Sequence, residues 1–485
     1  MLERHFVDIA KYREKILHQQ NDEINNDIPF QKVYRSLLTS TIRQPFISAI
    51  FHLDGVPLGK SNKLTLWVLS CSILELPPSL RNRHSNMIVL SMWVGVRQPI
   101  IKLWLRECVQ NLKTLKSSGL SIRDGQKWFL YFVGIIGDCP ALKLALNHIG
   151  NNGYHCCWFC KIEGIHIGKK RQYPFEETPT MRSINSYINE SKEAEVNGTN
   201  VNGHLGISFF NEILDVPLPH GILMDYMHIT LLRHTRCVVL QIYQSFSPKI
   251  RIEIDNKLRF QKFPHTFNRK LRPINAGHIK ASEVKNLLLY ALLPFFYDYM
   301  PVDKFAHVAL FVCAIRMLHG PKQFGNRSSI LAHQLITIYY KDHSKFYHGL
   351  ENLVLHFHIH FSMQHENFDE IDSGEVGDEE DNSAMMDATQ QSITTQSHFR
   401  TASSITFDVQ SSRTYFKTKY WSILFFNRIN ANFSAEKDEV EKENYDLDSY
   451  MFDYRWNSAT KNSVNKRKST FNSINEKRKR MDNKS

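Results

Sequence analysis

From Gln44 to Gly150 the apolar residues come in blocks that a sheet and its covering helices can bury. PFISAIFHLDG ends on an Asp-Gly turn, and LTLWVLSCSILEL (Leu64–Leu76), NMIVLSMWVGV (Asn86–Val96) and KWFLYFVGIIGD are three more apolar, β-rich runs. Near-continuous apolar runs of this length read as strands buried on both faces. Between the third and fourth runs, IKLWLRECVQNLKTL has helical spacing, with Leu103, Leu105, Cys108, Leu112 and Leu115 near one face. ALKLALNHI follows the fourth run as another helix. Strands followed by helices around one sheet predict an α/β domain, a mixed sheet flanked by helices.

The rest of the chain divides around that block. Residues 1–43 read as a polar, helical region and 44–149 as the first part of the core. Residues 150–275 are less regular and read as a mainly helical insertion, and 276–362 as helices that complete the core, among them ASEVKNLLLYALLPFF (Ala281–Phe296). Composition then breaks: FDEIDSGEVGDEED carries eight acids and almost no apolar residue, and a Ser/Thr/Gln-rich stretch follows. A segment that buries so little surface cannot offset its ordering entropy, so 366–404 is expected to be disordered. The C-terminal region, 405–485, ends in a basic tail with Lys466-Arg467-Lys468 and Lys477-Arg478-Lys479-Arg480, the pattern of a nuclear import signal or a phosphate-contacting arm.

Charge and cysteine usage narrow the partners and the compartment. A net charge of +12 and a pI near 9.1 favour polyanions. The N-terminus, MLERHFVDIAKYREK, has no apolar h-region, and no apolar run reaches membrane-spanning length. Eight cysteines in 485 residues suit reduced thiols in cytoplasm or nucleus better than a disulfide scaffold.

Three acids stand where chemistry is expected. Asp54 and Asp138 each close a strand, and Glu283 opens a strongly apolar helix. Carboxylates at one sheet edge repel each other unless a cation sits among them, and Mg²⁺ or Mn²⁺ is the usual remedy. Taken singly, the same residues suit an Asp-Gly turn, an N-cap and a first-turn acid. A second constellation pairs Cys157-x-x-Cys160 with Asp225-x-x-His228. Two thiolates, the His228 imidazole and a fourth donor from Asp225, His220 or Cys156 would suit tetrahedral Zn²⁺. Convergence of Cys157, Cys160 and His228 is the expectation, with small buried thiols as the alternative. His356, His358 and His360 alternate in LHFHIHF, which reads as the polar face of a strand rather than a metal site.

The flanking words add a resemblance. LDGVPLGKSN, GDCPALKLALNHIGNNGYHCCWFCKIEG, GISFFNEI, PLPHGILMDYMHITLL and KLRFQKFPHTFNRKLRPINAGHIKASEVKNLLLYALLP occur in that order. As a series this resembles the CACTA (En/Spm-like) DNA transposases, across roughly residues 44–360. The resemblance implies an RNase H-like catalytic core with an insertion before the last acid. It further implies Asp54, Asp138 and Glu283 as a metal-binding DDE triad using Mg²⁺ or Mn²⁺, cleavage and transfer of DNA strands at transposon ends, and a nuclear location, and it is compatible with self-association. A second reading stands beside it: a transposon-derived nuclear protein that binds DNA without cleaving it, or a zinc-braced interaction module.

Overall fold

The computed structural model describes residues 1–367 apart from 19–26, 31–33, 35–44, 60–63, 123–125, 152, 264–266, 268, 278 and 320–327. Of the segment expected to be disordered, 366–404, residues 368–404 lie outside the described residues, as does the C-terminal region with its basic tail. The architecture is α/β, with a mixed sheet flanked by helices.

The apolar runs form the sheet, which is well covered along Phe46–Pro57 and Gln126–Gly137. The run expected as a buried strand at Asn86–Val96 is instead an open edge whose strand has no buried residue and exposes Val89, Met92, Trp93 and Val94. After helix α1 (Phe6–His18), strand β1 (Phe46–Pro57) pairs antiparallel with β2 (Thr65–Ile73), which pairs antiparallel with β3 (Ile88–Gly95). Helix α2 (Arg106–Ser118) and the short β4 (Leu120–Ile122) lead into β5 (Gln126–Gly137), which lies parallel to β1 on its other side. Phe46 to Phe51 are all buried, so β1 has no polar face over that length. Helix α3 (Cys139–Ala145) starts directly at the end of β5, capped by Asp138, whose Oδ1 accepts the Ala141 N–H at 2.8 Å.

The stretch read as an insertion also feeds the sheet. It holds an exposed hairpin, β6 (Ile165–Ile167) and β7 (Lys170–Gln172), and helix α4 (Ile184–Asn197). It then returns as β8 (Ile222–Met224), which runs parallel to the C-terminal end of β5. Since β1 occupies one edge of β5, β4 and β8 share the other.

The remaining chain is helical. π-helical turns at Met227–Thr235 run into α5 (Arg236–Ser245), followed by α6 (Pro248–Phe260), α7 (Ala281–Asn286), α8 (Val302–His319), α9 (Ser328–Lys341) and α10 (Leu353–Asn367). Two large apolar clusters result, one on the sheet and one among the helices. α10 belongs to both: Leu353 and Phe357 pack into the sheet cluster, Leu355 and Ile359 into the helical one. The histidine-rich stretch is therefore helix rather than strand. An element buried on two opposite sides gains nothing from an apolar stripe at helical spacing, so its alternating apolar residues misrepresent its period. No described helix is long and apolar enough to cross a membrane.

Candidate functional site

Three aspartates sit at the same level of three neighbouring parallel strands. Asp138 and Asp225 lie just past the ends of β5 and β8, and Asp54 lies inside β1, where it pairs with Val68 of β2 instead of closing the strand in the expected Asp-Gly turn. Leu53 of β1 pairs with Gly137 of β5, and Gly137 pairs with Met224 of β8. The next residues are Asp54, Asp138 and Asp225. Neighbouring strands lie about 4.8 Å apart, so the three acids emerge side by side at one edge. Gly137 permits the close approach: a Cβ there would sit 2.7 Å from the Leu53 carbonyl oxygen.

Each carboxylate is oriented by a local donor. Asp54 Oδ1 accepts the Gly55 N–H at 2.7 Å, and Asp138 is held as the cap of α3. Asp225 Oδ1 accepts the His228 N–H at 3.0 Å, and its Oδ2 lies 2.6 Å from His228 Nδ1. Burial raises the pKa of Asp54, and the Asp138 charge raises it further. Burial likewise raises Asp138. Burial works against ionisation of Asp225 too, but its bond to the His228 ring outweighs that and holds it below the usual range. Burial disfavours the His228 imidazolium, yet Asp225, Asp138 and Asp54 together raise its pKa. In this state, the imidazolium is the counter-charge of the acidic edge.

Of the three acids expected to act together, Asp54 and Asp138 stand at one level of neighbouring strands, and Glu283 has partners of its own. Glu283 is 1% exposed in the first turn of α7, where Arg272 grips it from two sides, Nε to Oε1 at 2.8 Å and Nη2 to Oε2 at 2.5 Å. Its Oε2 also accepts the Lys280 N–H at 2.8 Å. That carboxylate is engaged as a helix-start acid, and the acid in register beside Asp138 is Asp225.

The thiols find different partners from those expected. Cys157 Sγ lies 3.3 Å from His360 Nε2, Cys160 Sγ lies 3.2 Å from His356 Nε2, and the two Nε2 atoms are 3.1 Å apart. All four side chains are buried, with their donor atoms within 4.8 Å of one another. Asp225 and His228, expected to complete this set, pair with each other at the acidic edge instead. The reason is helical: i and i+4 share a face, so His356 and His360 point together while His358 turns toward Thr230 Oγ1 at 3.2 Å. Cys156 bonds the Gly150 carbonyl, and His220 lies outside the quartet.

The loop carrying the thiols is braced before any metal is considered. Arg182 Nε donates to the carbonyls of Cys157 and Cys160, at 3.2 and 3.1 Å, while its Nη1 bonds Glu190 at 2.9 Å. The Phe159 N–H points at Cys157 Sγ, 3.4 Å away. Burial opposes ionisation of Cys157, but the Cys160 thiol and the two imidazoles hold it well below the usual thiol range. The bond to Cys157 and burial push Cys160 up. His356 Nδ1 and His360 Nδ1 are buried without partners. Two sulfurs and two imidazole nitrogens converging in a dry site form a Cys₂His₂ cluster that could hold a structural metal such as zinc.

Sequence reasoning missed His356 and His360 as partners of the thiols and placed Asp225 with the wrong group. The signal for the first was the His-x-x-x-His spacing, and for the second the acid directly after the apolar triplet Ile222–Met224. No family model matches the chain, and no curated protein matches it.

Proposed function

We propose that the protein is a divalent-cation-dependent DNA strand-cleaving and strand-transferring enzyme of the transposase type, with its chemistry at the Asp54–Asp138 edge. The observation that carries this reading is the alignment of Asp54, Asp138 and Asp225 at one level of three parallel strands in register. An RNase H-like core is the finer fold in this reading, supported by three antiparallel strands leading into parallel ones around β1. The donor chemistry fits a hard cation: oxygen donors whose ionisation is opposed by burial and by one another gain most from a positive ion between them. Mg²⁺ or Mn²⁺ bound by Asp54 and Asp138 would activate a water or 3′-hydroxyl and stabilise the leaving oxygen of a phosphodiester. Asp225 holds a proton on His228 Nδ1 beside that edge, and the Cys₂His₂ cluster fixes α10 against the loop after α3.

One observation favours a second reading, a nuclear DNA-binding derivative that no longer cuts: the Glu283 carboxylate is closed off by Arg272. Nicking of a labelled DNA duplex with Mg²⁺ or Mn²⁺ separates the two. Cleavage by the wild type that vanishes in Asp138→Asn supports the enzyme. Binding without cleavage, equal in both proteins, supports the derivative.

A further inference from the structure

The helix that begins beside Asp225 carries cations away from the acids. Arg233 lies on the π-helical turns Met227–Thr235, where i→i+5 pairing sets it one turn beyond His228. It is exposed, and its charge is felt at Asp138. Arg236 opens α5 and anchors one guanidinium nitrogen on the Gly277 carbonyl at 3.2 Å. The next residue, Cys237, is the one exposed cysteine among the described residues. Arg233, Arg236 and Lys170 of the β6–β7 hairpin all act on that thiol electrostatically, which places the hairpin beside the start of α5. Among the described residues, neither Arg233 nor Lys170 makes an ion pair.

Arg233, whose charge reaches Asp138 without an ion pair, and the exposed Lys170 contribute little to the fold. They suit a polyanion that brings one phosphodiester to the acids and lays its neighbours along the helix. At about 1.5 Å per residue, Asp225 to Arg236 covers roughly 16 Å, the length of about five nucleotide steps. We propose that Lys170, Arg233 and Arg236 form a phosphate-binding track for the DNA strand leading away from the Asp54–Asp138–Asp225 edge. This rests on the reading of that edge as a DNA-cleaving site, and adds the route of the strand and the residues that hold it.

The test uses the full chain and a fluorescein-labelled DNA duplex, with affinity measured by anisotropy from about 50 to 200 mM salt. Each phosphate contact removed lowers the slope of log K against log salt by about 0.9, so the Lys170→Gln, Arg233→Gln double variant should lose about 1.8. Arg233→Lys should keep the wild-type slope, because the charge is kept. Alkylation of Cys237, followed by peptide mass, should slow several-fold when duplex is added to the wild type, and not in the double variant. Thermal melts confirm that both exposed substitutions leave the chain folded. If the wild type binds and nicks DNA while the double variant keeps its slope and Cys237 stays unprotected, the track is overturned and the enzyme reading survives. If the wild type neither binds nor nicks duplex, the enzyme reading falls and the track falls with it.

Discussion

Removing a metal from the Cys₂His₂ cluster should loosen one helix rather than unfold the chain, and the structure sets the scale. α10 is anchored without metal by Leu353, Leu355, Phe357 and Ile359, none more than 7% exposed. Burying four such side chains contributes about 6–12 kcal/mol, as an upper bound. Structural zinc contributes on the order of 10 kcal/mol where it is the main organiser of a small fold. Here two thiol–imidazole contacts, at 3.2 and 3.3 Å, remain when the ion leaves and return about 1 kcal/mol each. The net loss should be about 8 kcal/mol, a fall in Tm of roughly 15 °C or more. The assay is metal analysis of the purified full chain, then melts with and without chelator for the wild type, His356→Ala, Cys160→Ser and His228→Ala. His356→Ala and Cys160→Ser should lose the metal and melt low, with no further effect of chelator. His228→Ala should keep it. Metal-free protein whose Tm ignores Cys160→Ser, or metal lost from His228→Ala but not from His356→Ala, would refute the reasoning.

Further outcomes follow from the acidic edge. Asp54→Asn should stabilise the cation-free protein at pH 7: the folded pKa of Asp54 is raised, so its contribution is present below the unfolded value near 4 and lost as pH rises through the folded one. The gain should therefore shrink toward acid pH in denaturant titrations. Asp138→Ala removes the cap of α3 at a cost of about 1 kcal/mol, partly offset by relief of the charge, whereas Asp138→Asn keeps a capping oxygen; their midpoints should differ in that order. Arg272→Ala strands a buried Glu283 carboxylate and should cost on the order of 2 kcal/mol, while Glu283→Gln should alter stability more than any nicking rate. Gly137→Ala drives a methyl against the Leu53 carbonyl, spreads β1 from β5, and should reduce nicking far more than its effect on the melt.

The legible part of this fold was the part with one period. β1, β2 and β5 are long and largely buried, so their apolar runs announced a sheet; Asp138 was visible as the residue that ends one of them, whereas Asp54, read as a strand end, lies inside β1. β8 was not legible, since three residues, Ile222–Met224, carry no period at all; only the register with Gly137 shows that Asp225 belongs beside Asp138. α10 was misleading for the opposite reason. Its apolar residues alternate because Leu353 and Phe357 serve one cluster and Leu355 and Ile359 another, and that alternation imitates a strand. The metal donors follow the backbone, not the alternation, so His356 and His360 meet the thiols from nearly 200 positions away. Glu283 was read as a member of the triad with a first-turn acid as the alternative; it does stand in the first turn of α7, and only the structure shows that Arg272 bonds both of its oxygens.

The claim beneath the whole account is that the register-aligned aspartates Asp54 and Asp138 form one cation-holding edge. Mn²⁺ titration of the full chain, with its thiol–imidazole cluster already zinc-loaded and free Mn²⁺ read by electron paramagnetic resonance, tests it most directly. The account predicts saturable Mn²⁺ uptake by the wild type, competed by Mg²⁺ and lost in both Asp54→Asn and Asp138→Asn while the melts stay cooperative. A wild type that takes up no Mn²⁺, or Asn variants that bind it as well as the wild type, would contradict it.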